Sequence, residues 1–367
     1  MRFHRRDVLK AGAAATFAAV LPRTAGANTL FAPQPGAWRH FQITTRLQVT
    51  KPEGATQAWV PLPAVNEPDW FQSNGSTWRS NGRGTIKRDA KYGSEMLHVE
   101  WASTETAPVV EVTSQIATRD RAIDLAKPGK VAALSPAERK LYLSGTALIP
   151  VDGIVKQTSD KILAGTKTDL DKARAIYQWV VENTFRNAAT RGCGIGDIAA
   201  MLKSGHFGGK CADLNALYVG LARAAGIPAR DVYGLRVAPS RFGYKSLGAN
   251  SETITKAQHC RSEVHLAGFG WVPVDPADVR KVMLEEPPAN LPIGDPKVAA
   301  ARAALFGAWE TNWLAYNFAH DLALPGSKGP KLGFLMYPQA ETASLRLDCL
   351  DPDNFKYTIL SKEITAA

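Results

Sequence analysis

Polar and apolar positions alternate along the first third of the chain. In "FQITTRLQV", Phe41, Ile43, Thr45, Leu47 and Val49 share one face and Gln42, Thr44, Arg46 and Gln48 the other, the period-two pattern of a strand with one side buried. "QAWVPLP" and "MLHVEWA" read as further strands, and "VVEVTSQI" places Val110, Val112 and Ile116 on one face. Clusters of Pro, Gly, Asn and Ser punctuate between them. The sum predicts a small antiparallel β-sandwich over residues 38–118.

A charged, proline-bearing connection follows over 119–150, with "LSPAERKLYLSG" a short helix inside it. From residue 151 the period lengthens. "TDLDKARAIYQWVVENT" repeats Leu170, Ala173, Ile176, Tyr177, Val180 and Val181 at helical spacing, with Thr168 or Asp169 available as N-cap. Leu214, Leu217, Tyr218, Leu221, Ala222 and Ala225 repeat the pattern, and Gly226 and Pro228 end it. Strand signals return after residue 250, and "FKYTIL" reads as a last strand. The class expected is α+β, with a core over 151–280 and a C-terminal extension over 281–367 that either packs over the site or is structural. His320, in "NFAHDL", reads as helical.

The first 27 residues stand apart. "HRRDVLK" carries twin arginines, "AGAAATFAAVL" is apolar, and "AGA" offers small residues at a cleavage position. Eleven mildly apolar residues are too few to span a hydrocarbon core of about 30 Å as a helix, so a twin-arginine export signal ending after Ala27 is expected, with no stable membrane insertion afterwards. Localisation is then periplasmic or secreted. Residues 1–27 hold five Lys/Arg and one Asp, so their removal takes the formal charge from +10 to +6. That mild excess, without a Lys/Arg cluster interleaved with aromatics, argues against a nucleic-acid partner.

Four cysteines remain: Cys193, Cys211, Cys260 and Cys349. In an exported protein an even number suggests a disulfide set, and Cys193 is the nearest candidate partner for Cys211. No C-x-x-C spacing marks a zinc cage, so neither metal nor cofactor is expected. Cys211 is distinct in its setting. It follows Gly208, Gly209 and Lys210 and opens a helix, where free N–H groups and the positive dipole end stabilise a thiolate and can hold an oxyanion.

A nucleophilic thiol needs an imidazole to take and return a proton. "HCRSEVHLAGFGWVPVDP" reads as a hairpin in which His259 and Asp275 lie equally far from Ala267, so pairing can set them side by side and let the carboxylate orient the ring. His265 shares the parity of His259 but has no obvious carboxylate opposite it; His259 is preferred. Cys211, His259 and Asp275 are also metal-ligand types, which leaves a metal site as a rival use.

"GGKCADLNALYVGLARAAGIPAR", "HCRSE" and "GFGWVPVDP" together resemble the three ordered blocks of the transglutaminase-like superfamily of papain-fold cysteine enzymes. The resemblance covers about 150–280, and the "WVPLP" region is similar to the β domain that often comes first in bacterial members. It implies a papain-like core with catalytic Cys211, His259 and Asp275 and no cofactor. Cys260 and Arg261 depart from the Ala and Trp that usually follow the histidine. The function implied is acyl transfer through a thioester, favouring hydrolysis of a peptide or amide, with the cell envelope as one source of such a substrate. Amine-accepting protein crosslinking, or a non-catalytic binding module with Cys211 in a disulfide, are the alternatives.

Overall fold

Two four-stranded antiparallel sheets face each other in the first part of the computed structural model, which describes residues 31–365. The export segment read at 1–27 lies outside the described residues. One sheet runs Phe355–Ile364, Arg39–Val49, Val109–Thr118, Phe71–Ser80; the other runs Gln339–Glu341, Thr56–Leu62, Glu95–Trp101, Arg83–Arg88. Leu47, Val60, Leu97, Val99, Val110 and Val112 fill the space between them. The alternation read in Arg39–Val49 is the alternation observed: Phe41, Ile43, Thr45, Leu47 and Val49 are all buried.

Phe71–Ser80 and Arg83–Arg88, which the sequence presents as punctuation, are strands. Each lies at the edge of its sheet, Phe71–Ser80 with one buried residue and Arg83–Arg88 with none, so neither has a reason to alternate apolar with polar. The Asn74-Gly75 step marks a register shift between Ser73 and Ser76.

A third sheet, in the order Gly270–Val274, Gln258–Leu266, Ala229–Arg236, Trp313–Asn317, carries the second half of the molecule. Against it packs the helix Cys211–Ala224, itself flanked by Gly153–Ile162, Asp169–Asn183 and Pro276–Glu285. Thr168 caps the helix Asp169–Asn183, exchanging hydrogen bonds of 3.1 and 3.2 Å with Asp171. The apolar repeat in Cys211–Ala224 predicts one buried face, yet every residue of this helix is buried. Among its polar side chains, Arg223 donates to the carbonyls of Ala229 and Ser144, and Asn215 to that of Cys260.

Residues 281–367, read above as an extension, supply one strand to each of the three sheets. "NWLAYN" is part of the third sheet, and His320 is not helical. It is buried beyond the end of that strand, 3.3 Å from the Tyr233 hydroxyl and 3.2 Å from Asp231. The extended run from Trp313 is rich in aromatic residues that pack on a sheet, which a helical reading of "NFAHDL" overlooks.

Candidate active site

The cysteine helix is anchored at its start by Asp213. Its carboxylate accepts the backbone N–H groups of Lys210, Ile195 and Gly196 at 2.9, 3.0 and 2.9 Å, binding the 192–196 loop to the first turn. Gly194 sits there at φ +94°, and a Cβ would overlap the Asp213 carboxylate, so only glycine fits. The Ala212 N–H donates to the Cys193 carbonyl at 2.9 Å. That bond removes Ala212 from the set of free donors at the helix start and leaves the Cys211 N–H as the first-turn donor closest to the thiol.

The hairpin forms as read, with a different centre. Its register pairs Leu266 with Gly270 and Ser262 with Val274, turning about Gly268 rather than Ala267. Positive φ at Gly268 and Gly270 permits the turn. Continued by one step, this register sets Asp275 across from Arg261, and the side chain reaches His259 diagonally. Asp275 has already left the strand as N-cap of Pro276–Glu285, with Pro276 at the first helical position. One carboxylate oxygen accepts the Asp278 N–H at 3.0 Å and faces the Asn215 amide at 3.3 Å; the other lies 2.7 Å from His259 Nε2.

His259 Nε2 is also 3.3 Å from Asp278, whose carboxylate is in turn 2.5 Å from the Arg236 guanidinium. A ring nitrogen between two carboxylates must carry a proton, which leaves Nδ1 for the thiol. Burial and the Arg236 charge oppose protonation of the ring, but Asp278 and Asp275 outweigh them and raise His259 to about 9. Burial also works against ionised Asp278, yet Arg236 and His259 hold it well below the usual carboxylate range. His265 has no such company. It is half-buried with its ring edge-on to Trp271, and burial, then Arg230 and Arg139, push it down.

All four cysteines are free thiols. The expected disulfide set, and the Cys193–Cys211 bridge within it, is therefore not formed; instead the thiols cluster, with Cys260 Sγ 3.7 Å from Cys211 Sγ, well beyond the S–S bond length of about 2.05 Å. The neighbouring Cys193 and Cys260 thiols, with the His259 imidazole, hold Cys211 well below the usual thiol range against the cost of burial; Cys260 donates to it, while Cys193 Sγ donates to the Gln258 carbonyl at 3.4 Å. The proximity of Cys211 raises Cys193, and burial raises Cys260. One thiol of three is thus set to lose its proton.

His259, Asp275 and Asp278 place ligand-type atoms within 4.8 Å of one another, and Cys211 is not in that group. Arg236 on Asp278, and Arg261 at 3.6 Å from Asp275, already supply the counter-charge that a metal ion would bring. The metal rival drawn on Cys211, His259 and Asp275 finds no such grouping among the described residues.

Cys211 and His259 open onto a cavity of about 720 Å³. Tyr337, Cys349, Leu350, Lys356 and Tyr357 form one of its walls, so the C-terminal segment shapes the site. It also answers the departure at position 261. Arg261 is buried with its guanidinium 4.8 Å from the Trp313 ring and 5.3 Å from that of Trp309, and Trp313 Nε1 donates to the His259 carbonyl at 3.1 Å. Aromatic surface that the histidine strand lacks arrives from residues 309–313. Asp278 carried a readable signal, since Asp-Pro-x-Asp places two carboxylates on the first turn of one helix; Arg236 and Trp313 are joined to the site only by the fold.

A strand-borne histidine facing a helix-opening cysteine across an antiparallel sheet defines a papain-like cysteine-enzyme core. The transglutaminase-like superfamily core matches residues 156–276. An uncharacterized protein of Haemophilus influenzae is 37% identical over 343 residues, spanning 88% of this chain and 91% of its own length. A solved structure from Cytophaga hutchinsonii, described as a candidate cysteine protease, shares the fold with a TM-score of 0.50 at 15% identity, covering 90% of this chain and 99% of its own. This chain belongs to the transglutaminase-like superfamily.

Proposed function

We propose that the protein is an exported cysteine amide hydrolase in which Cys211 is the nucleophile, His259 the acid–base group and Asp275 its positioning partner. The observation that carries this reading is the 2.7 Å contact of Asp275 with His259 Nε2, which fixes the ring so that Nδ1 is left to a thiol already biased towards thiolate.

The Cys211 thiolate attacks the amide carbonyl carbon and the C=O electron pair moves onto oxygen, beside the Cys211 N–H. As the carbonyl re-forms, the C–N bond breaks and the imidazolium proton goes to the departing amine, leaving a thioester. Water then attacks, giving one proton to His259; the C–S bond breaks, and thiolate, imidazolium and the carboxylic acid result, the acid losing its remaining proton to solvent. Asp275 holds the ring throughout and does not exchange the proton.

The test pairs an electrophilic thiol probe with a library of peptides and amides. Expected are covalent labelling at Cys211, release of an amine from some library members, and an acyl-enzyme whose mass matches the acyl fragment. Incorporation of an added amine in preference to water would favour crosslinking. Absence of both turnover and Cys211 labelling would overturn the enzyme reading.

A further inference from the structure

Seven lysines and arginines line the cavity in front of Cys211, and no aspartate or glutamate does. Four of them meet carboxylates that lie outside the lining. Arg236 pairs with Asp278, Arg191 with Asp348 at 2.6 Å, and Arg186 and Lys281 share the single carboxylate of Glu285. Lys210, Lys256 and Lys356 have no carboxylate contact among the described residues. Counting the protonated His259 with the seven cations, and the Cys211 thiolate and the Asp275 carboxylate with the three carboxylates, leaves a surplus of three positive charges around one concave surface.

The three unpaired lysines come from separate parts of the chain. Lys210 is the residue before the nucleophile, Lys256 precedes the histidine strand, and Lys356 lies on the last strand of the molecule, in the segment outside the superfamily core match. Their convergence on one cavity focuses a field that a formal charge spread evenly over the surface would not produce. Lys256 and Lys356 are solvent-exposed and Lys210 is half-buried, so their ammonium groups are available to a ligand rather than spent in the fold.

We propose that the site selects an anionic acyl donor: a peptide carrying carboxylates beside the scissile amide, held by Lys210, Lys256 and Lys356. This rests on the reading of Cys211 as the nucleophile and narrows its substrate class. The same field disfavours a protonated amine as acceptor and does not affect water, so it also directs the thioester towards hydrolysis.

Charge selection can be read without turnover by alkylating Cys211 with iodoacetate and with iodoacetamide, which differ in charge and little in size. Their rate ratio is divided by that for glutathione, to remove intrinsic reactivity. The corrected ratio should favour iodoacetate by about tenfold, and should fall several-fold in a Lys210→Gln, Lys256→Gln, Lys356→Gln triple variant and in about 0.5 M salt. A corrected ratio of one or less, or a ratio unchanged in the triple variant, overturns the proposal.

A second measurement separates this failure from failure of the hydrolase reading. In Cys211→Ala, fluorescent Glu-rich peptides should bind about tenfold more tightly than Gln counterparts by anisotropy, and the difference should vanish in the lysine variants. Equal affinities sink the charge selection even if Cys211 proves reactive. An acidic preference with an inert Cys211 keeps it and discards the hydrolase.

Discussion

The strand Gln258–Leu266 carries a histidine near each end, and the two are in opposite electrostatic states. His259 meets Asp275 and Asp278 and is raised to about 9. His265, six residues along and of the same parity, meets Arg230, Arg139 and the edge of Trp271 and is lowered by burial and those charges. Strand position does not decide the difference. At the His259 end the chain leaves the hairpin as Asp-Pro and turns at once into a helix, presenting two carboxylates on its first turn. At the other end the neighbours are Arg230, with its cation over the Trp271 ring, and a tight glycine turn. A residue's chemistry here is set by what the adjoining elements deliver to it.

The contrast between the two ends breaks most directly by truncation. Cys211→Ala should abolish turnover and His259→Ala should come close to that, whereas His265→Ala should change kcat/KM by no more than about twofold. Thermal melts alongside kcat/KM for each variant separate lost chemistry from lost stability. A dead His265→Ala with an active His259→Ala would reverse the assignment.

Asp275→Asn should lower kcat/KM by about 10²- to 10⁴-fold, the range found when an orienting partner is lost. Asparagine caps helices as well as aspartate does, so the start of Pro276–Glu285 and the melting temperature should be largely kept. A drop in turnover matched by unfolding would mean that Asp275 serves the helix and not the ring.

The pH profile sharpens the comparison further. His259 must be protonated to release the amine, so kcat/KM should fall on an alkaline limb near pH 9, by about tenfold per pH unit above it. The same shift links to stability. Because the folded pKa lies above the unfolded value of about 6.5, the His259 contribution is complete below that value and is lost as pH rises through about 9. Melts followed from pH 6 to 10 should decline across that window in wild type and decline less in His259→Ala.

The smallest effect is expected at the departure beside the histidine. Cys260→Ala removes the S–H donor to Cys211 and leaves the adjoining Cys193 and the His259 imidazole, so alkylation of Cys211 near pH 6 should slow by a few-fold only. A rate equal to wild type would mean that the Cys260 thiol is passive packing.

The sequence makes visible what local pattern controls. Alternation in Arg39–Val49 and helical spacing in Asp169–Asn183 act within a few residues, and each appears where it is read. Cys211, His259 and Asp275 stand out for the same reason, each at a recognisable start or end of an element. Edge strands such as Phe71–Ser80 are hidden because only one residue of the strand is buried, which imposes no apolar rhythm. Arg236, Trp313 and Lys356 are hidden for a different reason: long-range strand pairing alone joins them to the site, and no spacing in the chain encodes it. The thiol cluster is legible as a set of cysteines but not as a set of hydrogen-bond donors, which requires knowing that the 192–196 loop is bound to the helix by Asp213.

The central claim is a Cys211 thiolate held by a protonated His259. It is tested most directly by the rate of Cys211 alkylation with iodoacetamide, resolved from the other three cysteines by mass spectrometry, between pH 4 and 10 in wild type and in His259→Ala. The account predicts a Cys211 rate already near its plateau at neutral pH in wild type, with the midpoint moved upward towards the ordinary value of about 8.5 in the variant. A wild-type rate that still climbs through pH 8.5, superimposable on that of His259→Ala, would contradict it.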